Sequence, residues 1–317
     1  MKQQFQWKKL GKLFDPKEYI GDTWMHEFAQ SPSSLIMEDR IRVYFCSRPP
    51  KNKDGMYVSY LSYIDLDKKN LNNIINICSH YPLELGKKGT FDEFGTNPVS
   101  VIQHDNEVRV YYAGWTRCES VPINGAIGVA ISKDNGETFH RLGDGPVISY
   151  SPDEPFMMGS PRVRRFNNMW QLWYVSGERW LEVNNKRMAT STDGINWKKH
   201  GKNLLENYLE NECQACPDVF FRDNKYHMFY SYRDIQNYKT GNGGYRIGYA
   251  VSDDMFNWSR QDEAAGIFTS YNGWDSKMVN YPHIFSLDED IYMLYQGNEI
   301  GRTGIGLAKL IHPKNWK

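Results

Sequence analysis

The sequence predicts an all-β fold, a five-bladed β-propeller whose last blade is completed by the N-terminal strand. Three observations carry this: a repeat of about 60 residues, an aromatic-rich composition almost without helical periodicity, and a pair of look-alike segments. The look-alikes are FQWKKLGKLF (5–14) and NWKKHGKNLL (196–205), one at the start of the chain and one deep inside it.

The repeat is read from its second strand: RIRVYFCS (40–47), EVRVYYAG (107–114), MWQLWYVSG (169–177), KYHMFYSY (225–232) and DIYMLYQG (290–297). Each follows a polar turn, and before each turn a proline opens a short apolar run. These prolines, Pro32, Pro98, Pro161, Pro217 and Pro282, are spaced by 66, 63, 56 and 65 residues. A third strand follows in every unit: YVSYLSYID (57–65), GAIGVAIS (125–132), KRMATS (186–191), YRIGYAVS (245–252) and GIGLAKL (304–310). Three units then continue through SKDNGETF, STDGINW or SDDMFNW, a turn that closes on an aromatic. Residues 66–78 alone have a pattern compatible with a turn of helix.

Five units too small to bury their own faces must stack on one another, and the ring is the arrangement that does so. A β-sandwich would give no reason for five equal units. The fifth unit ends after its third strand, so FQWKKLGKLF is expected to add the missing outer strand and leave no open seam. All of the sequence, 1–317, reads as one such domain.

The bulk numbers narrow the function. The 38 basic and 38 acidic side chains cancel, so no basic field exists to attract nucleic acid or a membrane surface. The 21 Tyr, 15 Phe and 10 Trp suit strands better than helices. No apolar run approaches the roughly 20 residues of a bilayer span. MKQQFQWKKL has no signal-peptide core, and five cysteines make no disulfide framework, so a cytoplasmic location is expected. The oligomeric state is not readable.

Strand alternation puts the segment before each proline and the segment after each second strand on one face of the ring. An acidic residue precedes every proline at an odd offset: Glu27, Glu93, Glu154, Glu212 and Asp275. In extended chain, odd offsets direct side chains alike. An arginine follows every second strand: Arg48, Arg117, Arg179, Arg233 and Arg302. Trp24, Trp115, Trp180 and Trp274 lie nearby, and Tyr245, Arg246 and Asn298 complete the set of expected binding residues. Carboxylates and guanidiniums that take hydroxyls, beside rings that stack on an apolar sugar face, define a carbohydrate site in the central funnel. Inter-blade ion pairing is the structural alternative for any one of these residues.

CPDVFFRDNKYHMFYSYRD…YRIGYAVSDDMFNW and GWDSKMVNYPHIF…YMLYQGNEIGRTGIGLAKL resemble five-bladed propeller proteins related to glycoside hydrolase families 32, 43, 68 and 130. The likeness is strongest to a subgroup described only as predicted glycosyl hydrolases. It covers nearly the whole sequence and is specific for fold rather than substrate. It implies a glycosidase that uses three funnel carboxylates, which map onto Glu27, Glu154 and Glu212 and act as acid and base on either side of the scissile bond. Glu212, in ECQACPDVF, resembles the Glu-Cys-Pro-Asp segment that holds the acid in family 32, with two residues inserted. The superfamily base sits in an Asp-Pro pair. Here Ser31, Asn97, Ser160, Cys216 and Tyr281 precede the five prolines, so no blade carries that pair.

Several guanidiniums around a sugar site point to an anionic substrate, or to phosphate in place of water as in the phosphorylases of family 130. A glycoside phosphorylase and a non-catalytic carbohydrate-binding propeller are therefore the alternatives to a hydrolase. No cofactor or metal is expected. Cys213-x-x-Cys216 lacks the second pair of a zinc site. His26 and His283 read as ordinary hydrogen-bonded histidines, and the Ser-x-Asp turns read as structural. Gly241-Asn242-Gly243-Gly244 lacks the strand–helix context of a phosphate loop and reads as a bend over the site.

Overall fold

The computed structural model describes residues 5–18, 24–180, 183–235 and 243–311. Gly241 and Asn242 of the glycine-rich loop, and most of the tail after Leu310, lie outside these residues. Five antiparallel four-stranded units surround one axis. Blade 1 is β2 (Glu27–Ile36), β3 (Arg40–Arg48), β4 (Tyr60–Asp67) and β5 (Asn70–Ile77). Blade 2 is β6 (Thr96–His104), β7 (Glu107–Arg117), β8 (Ile123–Ser132) and β9 (His140–Arg141). Blade 3 is β10 (Met158–Phe166), β11 (Met169–Arg179), β12 (Val183–Ser191) and β13 (Lys198–Lys199). Blade 4 is β14 (Glu212–Arg222), β15 (Lys225–Asp234), β16 (Arg246–Ser252) and β17 (Trp258–Arg260). Blade 5 is β18 (Asn280–Leu287), β19 (Asp290–Gln296), β20 (Ile305–Leu310) and, as expected, β1 (Trp7–Phe14).

The N-terminal strand pairs antiparallel with β20, from Trp7 opposite Leu310 to Phe14 opposite Ile305. Trp7 donates its indole N–H to the Ala265 carbonyl, which fastens the outer strand to the neighbouring blade. Residues 70–77 form a strand, not the turn of helix their spacing allowed. Asn70 pairs with Asp67 and Ile77 with Ile64, so the free edge of β4 captures them.

The core is not central but lies in five layers between adjacent blades. Alternation along each strand serves two layers at once. In β3, Ile41, Val43 and Phe45 pack against blade 5, while Tyr44 and Cys46 pack against blade 2. In β11, Leu172 and Tyr174 face blade 2 and Trp173 faces blade 4. Each fully buried side chain of this size contributes about 1.5–3 kcal/mol.

Close to the axis, hydrogen bonds link every blade to the next. Val101 N–H donates to Ser33 Oγ (2.9 Å) and Val163 N–H to Ser100 Oγ (3.0 Å). Arg164 donates to Asp218 Oδ1 (2.6 Å), and Ile284 N–H to Asp218 Oδ2 (2.6 Å). Ser34 N–H donates to His283 Nε2 (2.9 Å), which completes the circle. Buried backbone donors of the inner strands thus find partners across blade boundaries.

The five X-Pro pairs interrupt the inner strands. Register shifts occur between Gln30 and Ser33, Thr96 and Val99, Gly159 and Arg162, Ala215 and Asp218, and Asn280 and His283. Ser31, Ser160, Cys216 and Tyr281 take left-handed backbone conformations there, with φ of 57°, 53°, 38° and 52°. Such a conformation costs a non-glycine residue of order 1 kcal/mol or more. Its recurrence in four blades makes it an architectural device that bends each inner strand at the axis.

Candidate functional site

Three of the five expected acidic positions serve a structural clip that recurs in four blades. In blade 3 the Tyr174 hydroxyl donates to Glu154 (2.9 Å), and Lys199 of outer strand β13 sits 2.7 Å from the same carboxylate. In blade 5 Tyr295 donates to Asp275 (3.1 Å), and Lys9 of β1 closes on it at 2.6 Å. Lys9 and Lys199 are the matching lysines of the two Trp-Lys-Lys segments. In blade 2 the clip uses Asp92, bonded to Tyr112 (2.9 Å) and Arg141 (2.6 Å). Glu93, the residue chosen by spacing, instead accepts from Gly89 N–H in an exposed turn.

Blade 4 runs a variant of the same clip. Arg260 on β17 is held between Glu212 (2.8 Å) and Asp262 (2.7 Å), and Tyr230 donates to Asp262. Glu212 is wholly buried. Gln214 donates to it and in turn accepts from Lys186, which lies 3.8 Å from the Tyr230 ring centre. Burial drives Lys186 well below its ordinary value, with the nearby Glu212 charge opposing.

Blade 1 differs. The position that is Tyr112, Tyr174, Tyr230 and Tyr295 in the other blades is Phe45, which has no hydroxyl to give. Glu27 therefore turns elsewhere: Tyr57 donates to it at 2.6 Å and Arg302 at 2.8 Å, with Lys17 at 3.8 Å. Burial alone would raise its carboxyl. The bonds from Tyr57 and Arg302 and the charges of Arg302 and Lys17 outweigh that and hold it below the usual glutamate value.

Tyr57 and Arg302 line a cavity of about 600 Å³ at the funnel mouth. Its wall includes the expected Arg48, Arg117 and Trp115, with Phe28, Phe94 and Lys51. The Arg48 guanidinium lies 4.4 Å from the Phe28 ring centre and 4.8 Å from that of Trp115, and it donates to Gln30 at 2.7 Å. Burial pulls its pKa down to about 10, and its Nε finds no partner among the described residues. Arg117 stacks over Phe94 at 4.0 Å and donates to the Tyr57 carbonyl. A smaller recess of about 140 Å³ continues inward, where Arg233 and Tyr245 line the floor with Asn97, Ser160 and Tyr281.

The other expected residues lie outside both cavities. Glu154, Glu212 and Asp275 are closed in their clips, which corrects the expectation that five carboxylates converge on the mouth. Trp274 packs on Tyr295 and against Gly306, where a Cβ would come within 2.4 Å of its ring. Asn298 accepts from Lys277 and Met278 N–H, a loop brace. Arg179 reaches Asn211, and Arg246 donates to the Gly244, Tyr245 and Lys277 carbonyls.

Spacing missed Tyr57, Gln30, Lys51, Asn97, Tyr281 and Glu299. Asn97 and Tyr281 were signalled by the residue type before the proline, whereas Tyr57 and Glu299 carry no local mark. Glu299 sits on a turn with Ile300, both left-handed at φ 53° and 55°, and lies 3.3 Å from Arg302. Among the described residues no group of three or more His, Cys, Asp and Glu could hold a metal. All five cysteines are free, and burial raises the Cys216 thiol to about 12. His26 is exposed, while His283 belongs to the axial hydrogen-bond circle. No helix among the described residues is long and apolar enough to cross a membrane.

A funnel of this kind defines a five-bladed propeller with an aromatic, guanidinium-rich mouth. The protein belongs to the same family as the uncharacterized proteins Rv1502 and MT1551 of two Mycobacterium tuberculosis strains. Each is 31% identical over 311 residues, covering 96% of this sequence and 99% of the relative. No family model matches it. Its fold is that of glycoside-active propellers. It superposes on a solved BT0996 RGII complex with a TM-score of 0.74 and 16% identity, covering 99% of this protein and 94% of the other. A structure titled glycoside hydrolase gives 0.75 and 16%, covering 98% and 94%. A structure titled for the GH130 family of mannoside phosphorylases, said to contain glycoside hydrolases that target β-1,2 mannosidic linkages in Candida mannan, gives 0.73 and 14%, covering 99% and 96%.

Proposed function

We propose that the protein is a glycoside-active enzyme that cleaves a glycosidic bond of an anionic carbohydrate in the funnel, with Glu27 as the working carboxylate. One observation carries this: of the two acidic positions outside the blade clip, Glu93 is tied to its own exposed turn, whereas Glu27 bonds to Tyr57 and Arg302, which line the cavity. Held ionised by Tyr57 and Arg302, it suits the base or nucleophile side of the reaction rather than the proton donor. Arg48, Arg117, Lys51 and Arg302 line the cavity against one lining carboxylate, Glu299, and Glu27 behind Tyr57 and Arg302 does not balance the rest. Guanidiniums so placed bind a carboxylate or phosphate on the substrate. Trp115 and Tyr57 offer faces for the sugar ring. The superposition on proteins titled as glycoside hydrolases supports the reaction class.

The same cations favour a second reading, in which inorganic phosphate replaces water as the acceptor. The test is a panel of aryl glycosides, uronides and sugar phosphates, with and without inorganic phosphate. Turnover that Glu27→Gln abolishes while substrate still binds is the expected result. Phosphate-dependent turnover selects the phosphorylase, and binding without turnover in the unmodified protein selects a carbohydrate-binding propeller. Undiminished turnover by Glu27→Gln removes Glu27 from the chemistry.

A further inference from the structure

We propose that the lateral groove between blades 3 and 4 is a second carbohydrate-binding site, separate from the funnel and suited to a neutral oligosaccharide. The groove encloses about 910 Å³ and runs from the loop after β13 to the turn and strand at the edge of blade 4. Tyr208 is its platform, with 60% of its surface exposed.

That ring is exposed yet fixed. Its backbone N–H donates to Glu212 (3.1 Å) and its hydroxyl to the Arg260 carbonyl (3.3 Å). The Arg260 guanidinium backs one face at 3.9 Å from the ring centre. Arg260 cannot withdraw, because Glu212, Asp262 and the Glu206 carbonyl hold it. An aromatic side chain already ordered before binding loses little conformational entropy when a ligand stacks on its open face. Large exposed aromatics held this firmly serve recognition better than packing.

The rest of the wall has the chemistry of hydroxyl recognition. Asn185, Asn203, Asn207 and Asn257 line it; Asn257 is held by Lys202 and Asp254 and Asn207 by Gln214, and an amide oxygen with one such bond keeps a second lone pair for a sugar hydroxyl. Trp258 adds a second aromatic. The Arg260 charge is consumed by Glu212 and Asp262, and Lys202 and Glu206 offset one another along the wall. The groove therefore lacks the cationic surplus of the funnel, and its ligand is neutral. The inference does not depend on Glu27 or on turnover in the funnel.

The experiment is native electrophoresis of the full-length protein through gels containing dextran, galactomannan, arabinan or laminarin. Retardation of the unmodified protein in at least one gel is expected. Tyr208→Ala should weaken it about tenfold, the loss of one stacked ring. Tyr208→Trp should keep it, as should Trp115→Ala, which removes a sugar-facing ring from the funnel. If Tyr208→Ala disturbs the Glu212–Arg260 pair and unfolds blade 4, Asn257→Ala, whose side chain bonds to Lys202 and Asp254 rather than to that pair, reads the same wall and should also weaken retardation. Absence of retardation in all four gels overturns the proposal. So does retardation unchanged in Tyr208→Ala and Asn257→Ala, or retardation lost in Trp115→Ala, which would return the binding to the funnel.

Discussion

Lys9, on the first strand, closes on Asp275, just ahead of the first strand of the last blade, at 2.6 Å. The first strand is thereby joined to the last blade by an ion pair as well as by the β1–β20 ladder. Asp275 is almost fully buried and Lys9 partly exposed. Lys9→Met would leave the carboxylate with only the Tyr295 hydroxyl, at a cost of about 1–3 kcal/mol. A lower urea midpoint is expected, and the double variant Lys9→Met/Asp275→Asn should lose less than the sum of the single changes. Additive losses in a double-mutant cycle would show that the pair is not coupled.

Removal of residues 1–14 should act more severely. It exposes the β20 edge, whose unpaired backbone groups invite pairing with another molecule. Light scattering should show association of the truncated protein at concentrations where the full-length protein stays dispersed. A truncated protein that remains monomeric and unfolds at the same midpoint would mean the closing strand does not seal the ring.

His283 makes stability depend on pH. Burial, and after it Arg162, lowers its pKa to about 4, although Asp218 lies 3.0 Å away and opposes. The imidazole is neutral in the fold, with Nε2 accepting from Ser34 N–H. The unfolded protein, with an ordinary histidine near 6.5, binds more protons between pH 6.5 and 4. Stability therefore falls as pH drops through that window, by about 3 kcal/mol from this group at 1.36 kcal/mol per unit. Tm measured from pH 7 to 4.5 should decline, and His283→Gln should flatten the decline. An equally steep decline in that variant would assign it to other groups.

Arg302 sets the protonation of Glu27. Arg302→Met removes a hydrogen bond and a charge, so the carboxyl should move up toward its ordinary value. Once a turned-over glycoside is in hand, the acid limb of its pH–rate profile should shift upward in this variant. A limb that stays in place would mean that another group titrates.

The cationic mouth should be visible without any substrate. An anion that binds only the folded protein raises stability by RT ln(1 + [L]/Kd), about 2.7 kcal/mol at a hundredfold excess over Kd. Inorganic phosphate or glucuronate should raise Tm, and Arg48→Ala with Arg117→Ala should abolish the increase. Equal shifts in the double variant would place the anion elsewhere.

The sequence by itself determined the ring. The proline spacing, the second strands and the repeated Trp-Lys-Lys segment specified five blades and their closure, because a propeller blade is a local unit whose pattern repeats along the polypeptide. Even the exception of blade 1 was written there, in Phe45 where four blades have tyrosine. Which acidic side chains reach the funnel was decided only by the tertiary structure. The odd offsets assumed uninterrupted extended backbone, whereas the X-Pro bulges break that parity and Glu93 lies in a turn before its strand. A carboxylate turns toward whichever tyrosine and cation lie within reach. Those partners, such as Lys199 for Glu154 and Arg302 for Glu27, come from positions 45 and 275 residues away that only folding brings together.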